Sequence, residues 1–283
     1  WQKIGVYWDL IKSKQTGLLV ITGVAGFMSS SCPIMHGGNL APLAGSLLLA
    51  ISGSTVLNMW FDRDVDAKMK RTCWRPLPAG RVSPREVLLL GLILSAVGVG
   101  WAISIDRLFG LIVFVGLFID VVIYTVWLKR RTAWSILWGG ISGGVPILAG
   151  RVLGAGKIEW VGLLLLLAVL LWIPSHILTT NMRYLTDYRT AGIPTFPSVY
   201  GIRVTRRGIA ISSGLASVAM VVSALGLGIT SGCLYLLTIL TFGLLLLAVF
   251  VFNKPSQQNN FGLFKFASVY MLCSMLLLVV GVY

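Results

Sequence analysis

Three oxygen-bearing side chains recur at intervals of four near the end of a long apolar stretch. These are Asn58, Asp62 and Asp66. On an α-helix, residues four apart turn by only about 40° and rise by about 6 Å, so the three would share one face. Amide and carboxylate oxygens are the ligands that a hard cation such as Mg²⁺ prefers. These three residues, here called the first stripe, therefore predict a magnesium site.

The Lys and Arg residues that follow the first stripe carry more positive charge than is needed to neutralise its carboxylates. A guanidinium or ammonium cluster of this kind suits a polyanion held together with the metal, and a diphosphate fits that description. The alternative is a solvated loop that only sets membrane topology. The apolar run over 40–61 favours a site, because a carboxylate at the bilayer edge is costly and by default marks function. The cations are Lys68, Lys70, Arg71, Arg75 and Arg81.

A second polar cluster ends another apolar run about 120 residues later. It consists of Asn181, Tyr184 and Asp187, again at helical spacing, and a loop rich in Pro and Gly follows it, as one follows the first stripe. Two such helix ends facing each other would form a two-sided metal and diphosphate site at the mouth of a helical bundle.

Two polar side chains lie inside apolar runs. Asp120 stands four residues before Tyr124 and either faces the same cavity as the first stripe or is buried against a neighbouring hydroxyl or amide. His176 follows Pro174 by two residues and is either hydrogen-bonded to a neighbouring span or in contact with the ring of a bound ligand.

The composition is that of a polytopic membrane protein. Apolar residues make up 57% of the 283 residues, charged residues only 11%, and mean hydropathy is +0.88, which argues against a soluble globule. The sequence predicts an all-α protein in one domain over 1–283, with a pseudo-repeat of spans one to four (about 10–127) and five to nine (about 135–282). The nine predicted spans are 15–34, 41–61, 86–105, 108–127, 135–153, 159–180, 208–229, 232–252 and 263–282.

The distribution of positive charge predicts the orientation in the membrane. Twenty of the 23 Lys and Arg residues lie before the first span or in alternate loops, and the other loops hold only Arg107, Arg151 and Lys157. By the positive-inside rule, the N-terminus and the first stripe face the cytoplasm. The net charge of +14 is thus explained by topology, and we expect the lipid bilayer, and no nucleic acid, as a partner.

The motifs resemble those of a known family. Residues 58–80, which read N-x-x-x-D-x-x-x-D followed by R-P-L-P-A-G, resemble the UbiA superfamily of intramembrane prenyltransferases. Together with Y-W-D-L-I-K-S-K (7–14), I-Y-T-V-W-L-K-R-R-T (123–132) and D-Y-R-T-A-G-I-P (187–194), they are most similar to its protohaem IX farnesyltransferases, the haem O synthases.

This resemblance implies a nine-helix bundle around a cavity and Mg²⁺-dependent transfer of a prenyl group from an allylic diphosphate to a membrane-soluble acceptor. The implied catalytic residues are Asn58, Asp62, Asp66, Tyr184 and Asp187, and the implied metal ligands are Asn58, Asp62, Asp66 and Asp187. The implied diphosphate contacts are Lys14, Arg71, Arg75, Lys129 and Arg130, and the implied lining of the acceptor or prenyl cavity is Asp120, Tyr124, His176 and Asn181.

The acceptor and the function class have alternatives. The acceptor is haem B or an aromatic quinone precursor, and His176 would contact a haem or a quinone. An anion or lipid transporter is a second class, supported by the intramembrane Asp120 and the basic mouth. The almost apolar outer loops oppose it, because a transporter needs polar groups accessible from both sides. A family member that binds prenyl lipids without catalysis is the third possibility.

Overall fold

The computed structural model of the chain is a helical bundle, and it describes residues 2–30 and 39–283. No β-strand occurs in that part of the chain, which confirms the all-α prediction. The helices are α1 (Gln2–Leu10), α2 (Ser13–Met28), α3 (Leu40–Lys68), α4 (Pro84–Ile105), α5 (Arg107–Phe118), a π-helix (Ile119–Leu128), α6 (Ser135–Ala155), α7 (Trp160–Arg183), α8 (Leu185–Thr190), α9 (Phe196–Tyr200), α10 (Ile202–Leu227), α11 (Ser231–Asn253) and α12 (Gln257–Gly281).

Eight helices within the described residues are long and apolar enough to cross a membrane: α3, α4, α5 with the π-helix, α6, α7, α10, α11 and α12. The first predicted span, 15–34, begins in α2, which has 16 residues. Its last four positions fall at 31–34, outside the described residues. The count of nine spans therefore stays a prediction, while an integral membrane bundle is confirmed.

Several helices extend beyond the apolar runs that predicted them. Helix α3 continues to Lys68, so the whole first stripe is helical, as its spacing predicted. Helix α10 begins at Ile202 rather than 208, and α12 begins at Gln257 rather than 263. Hydropathy marks only the part of a helix that lies in hydrocarbon, whereas polar residues continue the winding into the headgroup region.

Helices α2 and α6 pack with their backbones almost in contact. A Cβ added at Gly26 would lie 2.1 Å from the backbone oxygen of Ile147, and one at Gly150 would lie 1.8 Å from that of Gly23. Such small residues let two membrane helices approach closely. The pair is also tied at the same end, where the buried Arg151 binds Glu159 at 2.8 Å and the backbone oxygen of Ser29. The C-terminal half of α2 is thus held against α6.

The π-helix and the break after α7 were not predicted. The π-helix spans ten residues, and its winding ends with the Lys129 amide donating to the Tyr124 oxygen at 2.8 Å. Helix α7 ends at Arg183, because Tyr184 leaves helical geometry with φ −111° and ψ 30° before α8 begins. The second polar cluster is therefore divided between two helices and does not form one stripe.

The ends of α3 and α8 meet, as the repeated pattern of polar helix end and stiff loop predicted. Val65 and Met69 form a buried apolar cluster with Ile193, against which Tyr188 packs. This contact brings the segment after the first stripe against the segment after the second polar cluster. The site is therefore built where the two halves of the chain join.

Candidate active site

The two carboxylates of the first stripe are buried and already paired with cations. Asp62 is 6% exposed and Asp66 is 5% exposed. Asp62 forms an ion pair with Lys129, which directly follows the π-helix, and Asp66 binds Arg75 at 2.7 Å. Burial acts to lower the pKa of Lys129, but the Asp62 carboxylate and Tyr124 outweigh it and hold that pKa above its ordinary value. Lys129 is therefore a fixed positive charge beside the stripe.

Asn58 is oriented by Asp120. The Asn58 amide nitrogen donates to Asp120 Oδ2 at 2.6 Å. The hydroxyl of Ser54 donates to the same oxygen, and that of Ser142 donates to Asp120 Oδ1 at 3.1 Å. Asp120 is thus hydrogen-bonded to neighbouring hydroxyl and amide groups, as the second interpretation had it, and through Asn58 it adjoins the first stripe. That it faces a cavity stays a prediction. Because the amide nitrogen is engaged, the Asn58 oxygen is the atom left for another partner.

The first stripe carries free oxygens that fit a hard cation. Asn58 Oδ1 and Asp62 Oδ1 are buried, and neither has a hydrogen-bond partner in the described residues. An unsatisfied buried oxygen is costly, and a bound ion is one of the few explanations for it. Amide and carboxylate oxygens are the donor set of Mg²⁺. No three His, Cys, Asp or Glu side chains between residues 39 and 283, or in 2–30, are gathered as a metal cluster, so Asp187 as a fourth ligand stays a prediction.

Arg71 links the loop after the first stripe to the second polar cluster. Its backbone amide donates to Asp187 Oδ2 at 3.1 Å, and its guanidinium donates to the Tyr188 hydroxyl at 3.4 Å. The guanidinium also lies 5.2 Å from the centroid of the Tyr184 ring. Asn181 is 8% exposed at the end of α7. The structure therefore brings Arg71, Tyr184 and Asp187 together.

Lys12 faces the first stripe, although only Lys14 was predicted to do so. Lys12 is half-buried, with left-handed backbone at φ 45° and ψ 56°, and Lys14 is exposed. Burial and the neighbouring Arg75 and Lys129 lower the pKa of Lys12 to about 8, against the opposite influence of Asp62 and Asp66. Residues two positions apart on one helix point about 200° from each other. Lys12 lies before α2 in left-handed backbone, so helical spacing could not show which lysine faces the site.

Arg130 is bonded away from the first stripe. Its guanidinium binds both carboxylate oxygens of Asp64, at 2.8 and 2.7 Å, and the backbone oxygen of Phe61 at 2.6 Å. Asp64 is two residues from Asp62, so it lies on the other side of α3. The structure places Arg130 as a clamp between α3 and the loop after the π-helix, and does not bring it to the predicted diphosphate.

The two predicted cavity rings lie in different places. The Tyr124 ring centroid is 5.6 Å from Lys129 Nζ, next to the first stripe. His176 is exposed and stacks between Trp172, at 6.0 Å between ring centroids, and Phe264 of α12, at 5.4 Å. The ring contacts of His176 are thus with α7 and α12, and the structure does not bring it to the first stripe.

Known proteins resemble this chain in sequence and in fold. Residues 19–273 match the UbiA prenyltransferase family. A protoheme IX farnesyltransferase of Archaeoglobus fulgidus is 40% identical over 83% of this chain and 82% of its own length. One of Desulforudis audaxviator is 33% identical over 98% and 88%.

Two solved structures share the fold. That of a digeranylgeranylglyceryl phosphate synthase has a TM-score of 0.81 at 20% identity, and covers 100% of this chain and 99% of its own. That of a UbiA homologue from Archaeoglobus fulgidus, bound to DMAPP and Mg²⁺, has a TM-score of 0.72 at 15% identity, and covers 96% and 98%.

Proposed function

Because this chain belongs to the UbiA prenyltransferase family and is therefore an intramembrane prenyltransferase, we propose that it transfers a farnesyl group from farnesyl diphosphate to haem B. The observation that supports this acceptor is the 40% identity to a protoheme IX farnesyltransferase over 83% of the chain. Membership of a family of enzymes argues against the transporter alternative.

The diphosphate is bound in this proposal between the first stripe and the second polar cluster. Arg71 and Arg75 approach it from the loop after α3, Lys12 from the start of α2, and Lys129 from the end of the π-helix. Asn58, Asp62 and Asp66 would hold Mg²⁺, with Asp187 opposite, and the ion would draw charge from the leaving diphosphate. Fixed cations aimed at developing negative charge stabilise the transition state without further reorganisation.

The burial of the site protects the reactive carbon. Loss of diphosphate leaves an allylic cation, which water would capture, and side chains only 5–6% exposed at Asp62 and Asp66 indicate a site that excludes bulk water. The rings of Tyr124 and Tyr184 are available to stabilise the cation through their faces. The π-electrons of a haem vinyl group then attack the cation, which moves the positive charge to the vinyl carbon beside the ring. Water adds to that carbon and loses a proton, which gives the hydroxyl of the product.

The side of the membrane is also part of the proposal. The helix ends that carry Asp62, Asp187 and most of the Lys and Arg residues lie together, and the positive-inside rule assigns such an end to the cytoplasm. A water-soluble diphosphate head would enter there, while the prenyl tail and the acceptor would remain in the hydrocarbon region.

The test is product analysis with purified protein, Mg²⁺, farnesyl diphosphate and haem B. The proposal expects a haem product heavier by one farnesyl group and one hydroxyl group, detected by mass spectrometry. Asp62→Asn should lower the rate by at least about 100-fold, since the metal and Lys129 both lose a charged partner. Asp64→Asn is the matched control, because Asp64 lies on the other side of the same helix and should retain nearly full rate.

Other outcomes would identify the alternatives. A prenylated aromatic acid or phenol, with no haem product, would make the acceptor a quinone precursor. Binding of farnesyl diphosphate without release of diphosphate, for every acceptor tried, would make the chain a lipid binder and contradict the proposal.

A further inference from the structure

A second cleft lies between the ends of α7, α10 and α12, at the same end of the bundle as the first stripe. Its volume is about 560 Å³. The α7 residues that face it include Thr179 and Arg183, which lie four apart and therefore on one side of that helix. Asn181 lies about 200° from each of them. Helix α7 thus lies between this cleft and Asn181, and the cleft adjoins the candidate active site at Arg183, whose guanidinium is 5.6 Å from the centroid of the Tyr184 ring. The lining residues used below are Thr179, Arg183, Arg206, Asn260, Phe261 and Phe264.

The cleft carries positive charge that nothing on these helices neutralises. Arg183 and Arg206 both line it, and neither forms an ion pair in the described part of the chain. The last acidic residue of the whole sequence is Asp187, so α10, α11 and α12 contain no carboxylate at all. The Arg206 guanidinium makes one long contact, to the Pro255 backbone oxygen at 3.5 Å, and its Nε is buried without a partner.

A buried amide in the cleft is also incompletely satisfied. Asn260 is 2% exposed, and its nitrogen donates to the Thr179 hydroxyl at 3.1 Å. Its oxygen has no partner among the described residues. Buried polar groups in native proteins are normally paired, so the unpaired groups of Asn260 and Arg206 both indicate a polar ligand or ordered water in the cleft.

An apolar strip runs from the cleft along the groove between α7 and α12. The rings of Phe261 and Phe264 stack at 5.9 Å between centroids, Phe264 contacts His176 at 5.4 Å, and His176 contacts Trp172 at 6.0 Å. His176 and Phe261 are exposed on the bundle surface. This strip continues from the charged end of the bundle toward its middle, as an acyl or isoprenoid chain would.

We propose that this cleft binds the phosphate of an anionic phospholipid, with the lipid chain lying along Phe261, Phe264, His176 and Trp172. Basic pockets between membrane helices near the headgroup level bind anionic lipid heads in this way. A phosphodiester would accept from the guanidinium groups of Arg183 and Arg206 and neutralise both. The cleft adjoins the prenyl transfer site at Arg183, but its lining includes none of the proposed metal or diphosphate ligands. The proposal does not depend on which acceptor that site uses.

The experiment compares phosphatidylglycerol with phosphatidylcholine of the same chains, bound to the purified protein in detergent and measured by native mass spectrometry. Phosphatidylglycerol should bind more tightly to the unmodified protein. The pair Arg183→Gln with Arg206→Gln should weaken it about 25-fold, since each cation near a lipid head contributes about fivefold. The pair Arg207→Gln with Lys254→Gln removes the same charge outside the cleft and should change binding less than about threefold.

Three results would overturn the proposal. The two lipids could bind equally, the two pairs of substitutions could weaken binding equally, or millimolar glycerol phosphate could displace the lipid, which would indicate a site for a free anion. Phe261→Ala gives a separate readout if the arginine pair does not fold. It should weaken binding of phosphatidylglycerol several-fold and leave the affinity for glycerol phosphate unchanged. If Phe261→Ala binds the lipid as tightly as the unmodified protein does, the proposed path of the lipid chain is contradicted.

Discussion

Asp120 acts on the first stripe through Asn58. Its carboxylate accepts from the Asn58 amide, Ser54 and Ser142, so it is a positioning residue that fixes which Asn58 atom is free. Asp120→Ala should lower kcat/KM about 10- to 100-fold, the usual cost of removing a group that orients a metal ligand. It should also raise the Mg²⁺ concentration needed for half-maximal activity. Ser142→Ala removes only one of the three donors and should have a much smaller effect.

Activity lost in Asp120→Ala with an unchanged Mg²⁺ requirement would mean that Asp120 supports packing alone. This measurement separates the two roles, because a purely structural defect lowers the amount of active protein without changing the metal dependence of the remainder.

Lys12 and Lys14 are expected to differ in their contribution to diphosphate binding. Lys12 is half-buried beside Arg75 and Lys129, and Lys14 is exposed. Lys12→Met should raise KM for the prenyl diphosphate about tenfold, the order expected for one lost charge-assisted contact. Lys14→Met should change it less than twofold. Steady-state kinetics on the two variants show which lysine contacts the diphosphate. A larger rise in KM for Lys14→Met than for Lys12→Met would support the prediction made from sequence.

The sequence correctly predicted that Asn58, Asp62 and Asp66 share one helix, because i, i+4 spacing has one geometric meaning on a helix, while their role as metal ligands stays a prediction. It could not predict Lys12, since that residue faces the site through a left-handed backbone break that no motif indicates. The pairing of Arg130 with Asp64 was missed for another reason. It depends on the rotation of the helix that precedes Arg130, and the π-helix changes that rotation.

Helix α2 positions Lys12, and its contact with α6 depends on glycine. A Cβ at Gly26 would lie 2.1 Å from the backbone oxygen of Ile147, whereas one at Gly17 on the same helix meets nothing within 4 Å. Gly26→Ala should therefore destabilise the protein by about 2–3 kcal/mol, because backbone cannot move aside as a side chain can. Gly17→Ala should be neutral or slightly stabilising. Thermal unfolding of both variants in detergent measures the difference, and equal transition temperatures would contradict it.

Helix type and order followed from hydropathy, but the helix ends did not. The apolar runs located α3, α10 and α12, and these helices extend beyond the predicted spans by up to seven residues at their polar ends, because winding continues where burial in lipid stops. The break at Tyr184 was missed since Asn181, Tyr184 and Asp187 have a spacing that an unbroken helix would also satisfy.

At the scale of the whole molecule, the charge asymmetry predicts that the site end of the bundle is cytoplasmic. Cys73 is exposed in the loop after α3 and reports on that end. With Cys32, Cys233 and Cys273 replaced by Ser, Cys73 should react with a membrane-impermeant maleimide in inside-out vesicles and remain unlabelled in intact cells. The substitution Arg107→Cys, at the start of α5, should show the opposite pattern. Labelling of Cys73 in intact cells would contradict the predicted orientation and place the site end of the bundle on the outer side.

The bundle as a whole was the most predictable feature, since long apolar runs in a bilayer have few alternatives to helices. The meeting of α3 and α8 followed from a repeated pattern of polar helix end and stiff loop. The cleft between α7, α10 and α12 was not predicted, because its residues come from three distant parts of the chain and share no motif.

The π-helix has a consequence for how this protein tolerates a change in chain length. Because a π-turn holds more residues than an α-turn, deletion of a single residue within Ile119–Leu128 would allow ordinary winding. The residues downstream would then keep nearly their present orientation against α5, because the shorter α-turn takes up the lost residue. A deletion within α5, where the winding is already that of an α-helix, has no such compensation and would rotate everything downstream by about 100°, so that Lys129 would no longer meet Asp62. One codon lost from α5 is therefore expected to abolish turnover in a protein that still inserts and folds, whereas one lost from the π-helix is expected to be tolerated.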